Sequence, residues 1–154
     1  MAAILYNDRQ STYPVFFIIF VIECLLCAGL SVYAYIQGDF DVIIVSLIAL
    51  VILGIIFVSF LWMQVFVYDD RLTVRYGFFN KTIFFKDIRK ITVEPYDFWK
   101  YGGWGIRWNW TDHSTAWVTR SGVGIQMHMD RKACFISVRE PEKVFTIVHG
   151  RLAQ

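Results

Sequence analysis

Three local patterns carry side chains of the types that do chemistry. Asp112-His113-Ser114 sets an acid, a base and a hydroxyl side by side, the ingredients of nucleophilic catalysis. Neighbours on one loop cannot serve in turn as nucleophile, base and orienter, because those roles need side chains converging from separate elements. Cys24-x-x-Cys27 has the spacing of half a zinc or redox site. Its neighbours Ile22, Leu25, Leu26 and Ala28 are those of a lipid-embedded helix, and Cys134 stands alone in a strand-like run, so neither a ligand set nor a disulfide framework follows. Gly102-Gly103-x-Gly105 lacks the Lys-Ser/Thr and the strand-to-helix context of a phosphate-cradling loop. His113, His128 and His149 are scattered. The sequence therefore offers no catalytic, metal-binding or cofactor-binding set, and the chain reads as non-enzymatic.

The elements behind these residues explain why. Of 154 residues, 56% are hydrophobic and only 18% charged, too apolar for an ordinary soluble domain. The excess crowds into Val15 to Tyr68. Val15–Ile36 and Val42 to about Trp62 each supply enough residues to cross a hydrocarbon core of roughly 30 Å at about 1.5 Å per residue. Residues 37–41, Gln-Gly-Asp-Phe-Asp, join them in a turn that permits only an antiparallel helical hairpin. Residues 1–14 form a short leader without the basic start or small-residue cleavage site of a signal peptide, so the first helix is expected to stay as an anchor. Pro14 suits a first helical turn. Residues 69–154 have room for one small fold.

Orientation follows from the bases. The turn carries Asp39 and Asp41 but no Lys or Arg, whereas Arg71, Arg75, Lys81, Lys86, Arg89 and Lys90 follow the second helix and Arg9 precedes the first. Both termini are therefore expected in the cytoplasm, giving a multi-pass protein of the cell (inner) membrane.

Glu23 breaks the apolar pattern of the first helix, at a depth where an ionised carboxylate is expensive. The facing region, around Gly54 to Ser59, offers the hydroxyl of Ser59 and no base. Three readings stand side by side: a protonated Glu23 bonded locally, a contact with a polar group on another membrane subunit, or a proton or ion relay. Gly29, Ser31, Ser46 and Gly54 are small enough to let helices approach closely.

From about Gln64 the period becomes alternating. Arg71–Tyr76, Thr82–Phe85, Ile91–Glu94, Ala116–Thr119, Gly122–Met129 and Cys134–Val138 read as short strands of an antiparallel meander, with turns at Asp69-Asp70, Gly77–Lys81, Ser121-Gly122 and Asp130-Arg131. Residues 141–152 close the chain as a helix opened by Pro141 and Glu142, with Val144, Phe145, Val148 and Leu152 on its packing face.

The loop from Pro95 to His113 gathers Phe98, Trp99, Tyr101, Trp104, Trp108 and Trp110 with Lys100 and Arg107. Aromatic rings with cations suit a membrane interface, where Lys100 and Arg107 could meet phosphates. The same rings could fill a small barrel's core, or form a protein-partner surface. Nucleic acid does not fit, since the basic excess is small and spread over many strands.

Tyr68–Gly77 and Ile83–Ile88 after an apolar hairpin, with Gly102–Arg107, Gly122–Ile125 and Ile136–Glu142 later, resemble the bacterial pleckstrin-homology-like (bPH) membrane proteins. The resemblance covers nearly everything from Gln64 onward and implies a strongly bent antiparallel sheet of about seven strands, capped by the C-terminal helix. It specifies a fold, not a reaction. The expectation is a membrane-anchored PH-like accessory, assembly or scaffolding subunit of a larger membrane complex, partnered by an integral membrane protein or by its own copies. Glu23 and Ser59 would make intramembrane contacts, and Trp99, Lys100, Tyr101, Trp104, Arg107, Trp108 and Trp110 contacts at the surface. The alternative is a sensor that binds anionic lipid at the bilayer surface.

Overall fold

A helix that is apolar on every side has no face to turn toward water. The segment Thr12–Trp62, one of two compact units in the chain, is made of two such helices. The structure, a computed structural model, describes residues 3–130 and 132–152. Helix α1 (Tyr13–Gln37) and helix α2 (Phe40–Ser59) run antiparallel, and both are long and apolar enough to cross a membrane. Leu25, Leu30, Val32, Val45, Val51 and Val58 lie exposed on their outer faces. The turn is tighter than the sequence suggests. Gly38 ends α1 in the left-handed conformation at φ 75°, its N–H returning to the last turn, and Asp39 caps α2 by accepting from the Val42 N–H. At the open end, Thr12 donates its backbone N–H to Leu61 O at 3.0 Å and its hydroxyl to Phe60 O at 2.5 Å.

The other unit joins residues up to Ser11 with those from Met63 onward. Residues 4–11, within the expected leader, form strand β1 (Ile4–Ser11), the outer strand of a four-stranded sheet. It is followed in that sheet by β2 (Trp62–Tyr68), β3 (Arg71–Tyr76) and β4 (Phe79–Phe84). Alternation sets the register: Met63, Val65 and Val67 face Tyr76, Val74 and Leu72 across the β2–β3 ladder, all of them buried.

A second sheet holds β5 (Lys90–Pro95), β6 (Gly105–Trp108), β7 (Thr115–Val118), β8 (Val123–His128) and β9 (Ala133–Ser137), in the order β5-β8-β9-β7-β6. Its pairings are antiparallel except β7 with β9. The strands thus form two sheets where the resemblance implies a single bent one. Gly124 is required on β8, since a Cβ there would come within 2.5 Å of Ile136 O and 2.6 Å of a Phe135 ring carbon. Helix α4 (Pro141–Leu152) packs on β5 and β8 through Val144 and Val148, both fully buried, with Phe145 and Leu152 half-buried beside them.

Strand β1 is seated by polar side chains. Asp8 and Gln10 point inward, 4% and 2% exposed. The Gln10 amide donates to Asp8 Oδ2 at 2.7 Å and to Ser137 O at 2.8 Å, while its oxygen accepts from the Thr119 hydroxyl at 2.6 Å. Asp8 Oδ2 also accepts from the Arg139 backbone N–H at 2.8 Å. Burial pushes the neighbouring Tyr6 phenol up to about 12, and the charge of Asp8 adds to the shift.

Candidate functional site

Two contacts between α1 and α2 fix how far each residue lies along the hairpin. The Phe20 and Phe57 rings stack at 4.5 Å, and the Ser31 and Ser46 hydroxyls share a hydrogen bond of 2.7 Å. Each step up one helix between these pairs matches a step down the other, which puts Glu23 level with Gly54 and Ser59 level with Ile18. Ser59 is thus about 7.5 Å along the axis from the level of Glu23. Its hydroxyl donates instead to Ile55 O at 2.7 Å on its own helix. Within the hairpin the Ser59 hydroxyl therefore does not serve Glu23. Among the described residues Glu23, half-buried on α1, has no hydrogen-bond or ion-pair partner. Among the described residues a polar side-chain bond that joins the helices is Ser31–Ser46, whose sequence signal is only that two small residues occupy facing positions.

The aromatic loop divides into a packed half and an exposed half. Asp97 caps a short helix, α3 (Phe98–Tyr101), by accepting from the Lys100 N–H at 3.0 Å. This turn drives Tyr101 inward, where it packs with Ala116, Val118 and Phe135, and Tyr96 and Trp104 close over the cluster. The Tyr96 hydroxyl donates to Gly103 O. Burial pushes its pKa up, partly offset by the positive charge of Arg107. Trp104 donates its indole N–H to the Ser121 hydroxyl at 3.2 Å.

Both loop cations have internal partners. Lys100 Nζ lies 2.7 Å from Asp112, and Arg107 Nε donates to Trp104 O at 2.8 Å. Partial burial opposes ionisation of Asp112, but hydrogen bonds from Lys100 and Ser114 outweigh it and bring its pKa down to about 2. The same bond raises Lys100 above its ordinary value. Asp112 also accepts from the Ser114 hydroxyl at 2.5 Å, so the carboxylate serves the loop's own shape.

What remains outside is tryptophan. Trp99 is 93% exposed and Trp110 82%, with the Trp108 ring 5.9 Å from that of Trp110. Of the seven predicted surface residues, Tyr101 and Trp104 belong to the packing, Lys100 and Arg107 tie the loop, and Trp99, Trp108 and Trp110 face out. Cys24 and Cys27 are half-buried free thiols on α1, and Cys134 is buried in β9. Among the described residues no group of three or more His, Cys, Asp or Glu side chains is placed to hold a metal ion.

Compared with known proteins, the chain matches no family model, no curated protein and no solved structure.

Proposed function

We propose that the protein is a membrane-anchored, non-enzymatic accessory subunit, which uses its helical hairpin and a PH-like domain of the bPH type to assemble or scaffold a larger membrane complex. The observation that carries this reading is Glu23, a carboxyl group among apolar side chains with no partner among the described residues. Such a group in a bilayer calls for a polar partner from outside, and a facing helix of another membrane protein, or a second copy of this chain, supplies one. Gly54, level with Glu23 and with open space where a Cβ would stand, favours close approach of that helix.

The orientation in this proposal is a hairpin in the inner membrane with both termini cytoplasmic. Pairing of β1 with β2 supports it, because strands on either side of the hairpin in sequence share one sheet and must lie on the same side of the bilayer. The bases that follow α2 then favour the cytoplasm. Trp99 and Trp110 offer a second contact at the surface, since exposed tryptophan contributes strongly to protein interfaces. The anionic-lipid reading is weaker, because Lys100 and Arg107, the cations it needs, are engaged within the loop.

The test is copurification. Tagged full-length protein and its Glu23→Leu variant are extracted from native membranes in mild detergent, and the proteins retained are identified by mass spectrometry, with an untagged copy coexpressed. A stoichiometric membrane protein, or the untagged copy, retained by the parent and lost by the variant is the expected result. Extraction of both forms alone would overturn the subunit reading.

A further inference from the structure

The two sheets of the domain leave a cavity of about 410 Å³ between their margins, where β4, the outer strand of one, approaches β6 and β7 of the other. That volume falls within the roughly 300–1,000 Å³ of small-molecule sites. Its lining mixes two chemistries: Ile83, Ile106, Trp108, Trp117 and Met129 are apolar, and Lys81, Lys132 and His113 are basic.

Lys81 donates to the Thr115 hydroxyl at 2.6 Å, a contact that uses one of the three protons of its ammonium group. Among the described residues neither Lys81 nor Lys132 forms an ion pair. Asp87 also lines the cavity and offsets one of the two lysine charges, which leaves one lysine charge in excess. Among the described residues the buried indole N–H of Trp117 has no hydrogen-bond partner, so a nearby acceptor would satisfy it.

We propose that this cavity binds a monoanionic amphiphile, a carboxylate carried on an apolar chain, with its head at Lys81 and Lys132 and its chain against Ile106, Trp108 and Met129. The single excess lysine charge favours one anionic group over a doubly charged phosphate, and the apolar lining gives the chain a dry surface. This site uses neither Glu23 nor a protein partner.

The experiment uses full-length protein in nanodiscs of zwitterionic lipid, titrated with octanoate and followed by ligand-observed NMR against empty discs. Octan-1-ol and inorganic phosphate serve as probes of chain and charge alone. Octanoate is expected to saturate, and to bind about tenfold more weakly to Lys81→Gln and to Lys132→Gln, the ratio given by about 1.4 kcal/mol of head-group interaction. Octanol binding should be the same in parent and variants. Because Lys132 is exposed, its variant keeps the test intact should Lys81→Gln unfold the domain. Absence of saturable octanoate binding, equal affinity for octanol or for phosphate, or unchanged octanoate binding in the Lys132 variant would each overturn the proposal. Oleic acid added to the discs separates the two sources of such a ligand: displacement of octanoate places it in the bilayer, and the lack of it among soluble acids.

Discussion

Asp8 and Glu23 are carboxylic acids fifteen residues apart, and the chain treats them in opposite ways. Asp8 is 4% exposed and accepts hydrogen bonds from Gln10 and from the Arg139 backbone. Glu23, half-buried on α1, has no partner among the described residues. A buried acid whose bonds are completed inside the chain specifies the fold, here by seating β1 against the rest of the domain. An acid left open among apolar side chains costs stability until something outside completes it. The contrast separates a carboxylate whose bonds are completed within the chain from one for which the proposed function supplies a partner.

The contrast breaks most visibly if Asp8 is removed. Asp8→Ala leaves one Gln10 amide proton and the Arg139 N–H without their acceptor, and should destabilise the domain by about 3 kcal/mol. Denaturant unfolding of the full-length protein, followed by tryptophan fluorescence, measures this. Glu23→Leu in the same assay should leave the domain's transition unmoved.

Glycines sharpen the same point at a smaller scale. Gly124→Ala forces a methyl against Ile136 O and the Phe135 ring, and should cost about 2 kcal/mol. Gly54→Ala meets nothing within 4 Å in the isolated hairpin and should leave its stability unharmed. If a partner helix approaches there, the same substitution reduces copurification.

Much of this was legible in the sequence and some was not, for reasons that differ by region. The two helices announce themselves by apolar runs, β3 by alternation before Gly77, β8 and β9 by short runs set off by turn residues, and α4 by helical spacing after Pro141. Strand β1 hides because two of its three buried side chains are Asp8 and Gln10, so alternation of apolar with polar residues fails where the fold most needs it. Helix α3 and strand β6 hide within a loop of glycines and aromatics. Whether each ring packs inside depends on hydrogen bonds accepted by Asp97 and donated by Tyr96 and Asn109, which composition does not reveal. The wide turn expected over 37–41 shrinks because Phe40 and Asp41 extend α2 once Asp39 caps it.

Smaller effects test the hairpin and the loop. Ser46→Ala removes the bond to Ser31 and should weaken the pairing of α1 and α2 by about 0.6 kcal/mol, measurable by a double-mutant cycle with Ser31→Ala. In the loop, the carboxyl of Asp112 has a pKa depressed from 3.8 to about 2. Its contribution is therefore present above pH about 4 and lost as the pH falls toward 2. Because the pair with Lys100 is partly exposed, the change should be small, seen as a shift in tryptophan emission over that window and absent in Asp112→Asn.

The most direct measurement of the partner reading is photocrosslinking in native membranes, with a photoreactive amino acid at Leu26, one turn from Glu23 on α1, and at Tyr35 as a distant control. Both positions are exposed, so neither disturbs the hairpin's own packing. A discrete protein adduct at 26 that disappears in Glu23→Leu is the predicted result. Adducts to lipid alone at both positions would contradict the claim that Glu23 faces another protein.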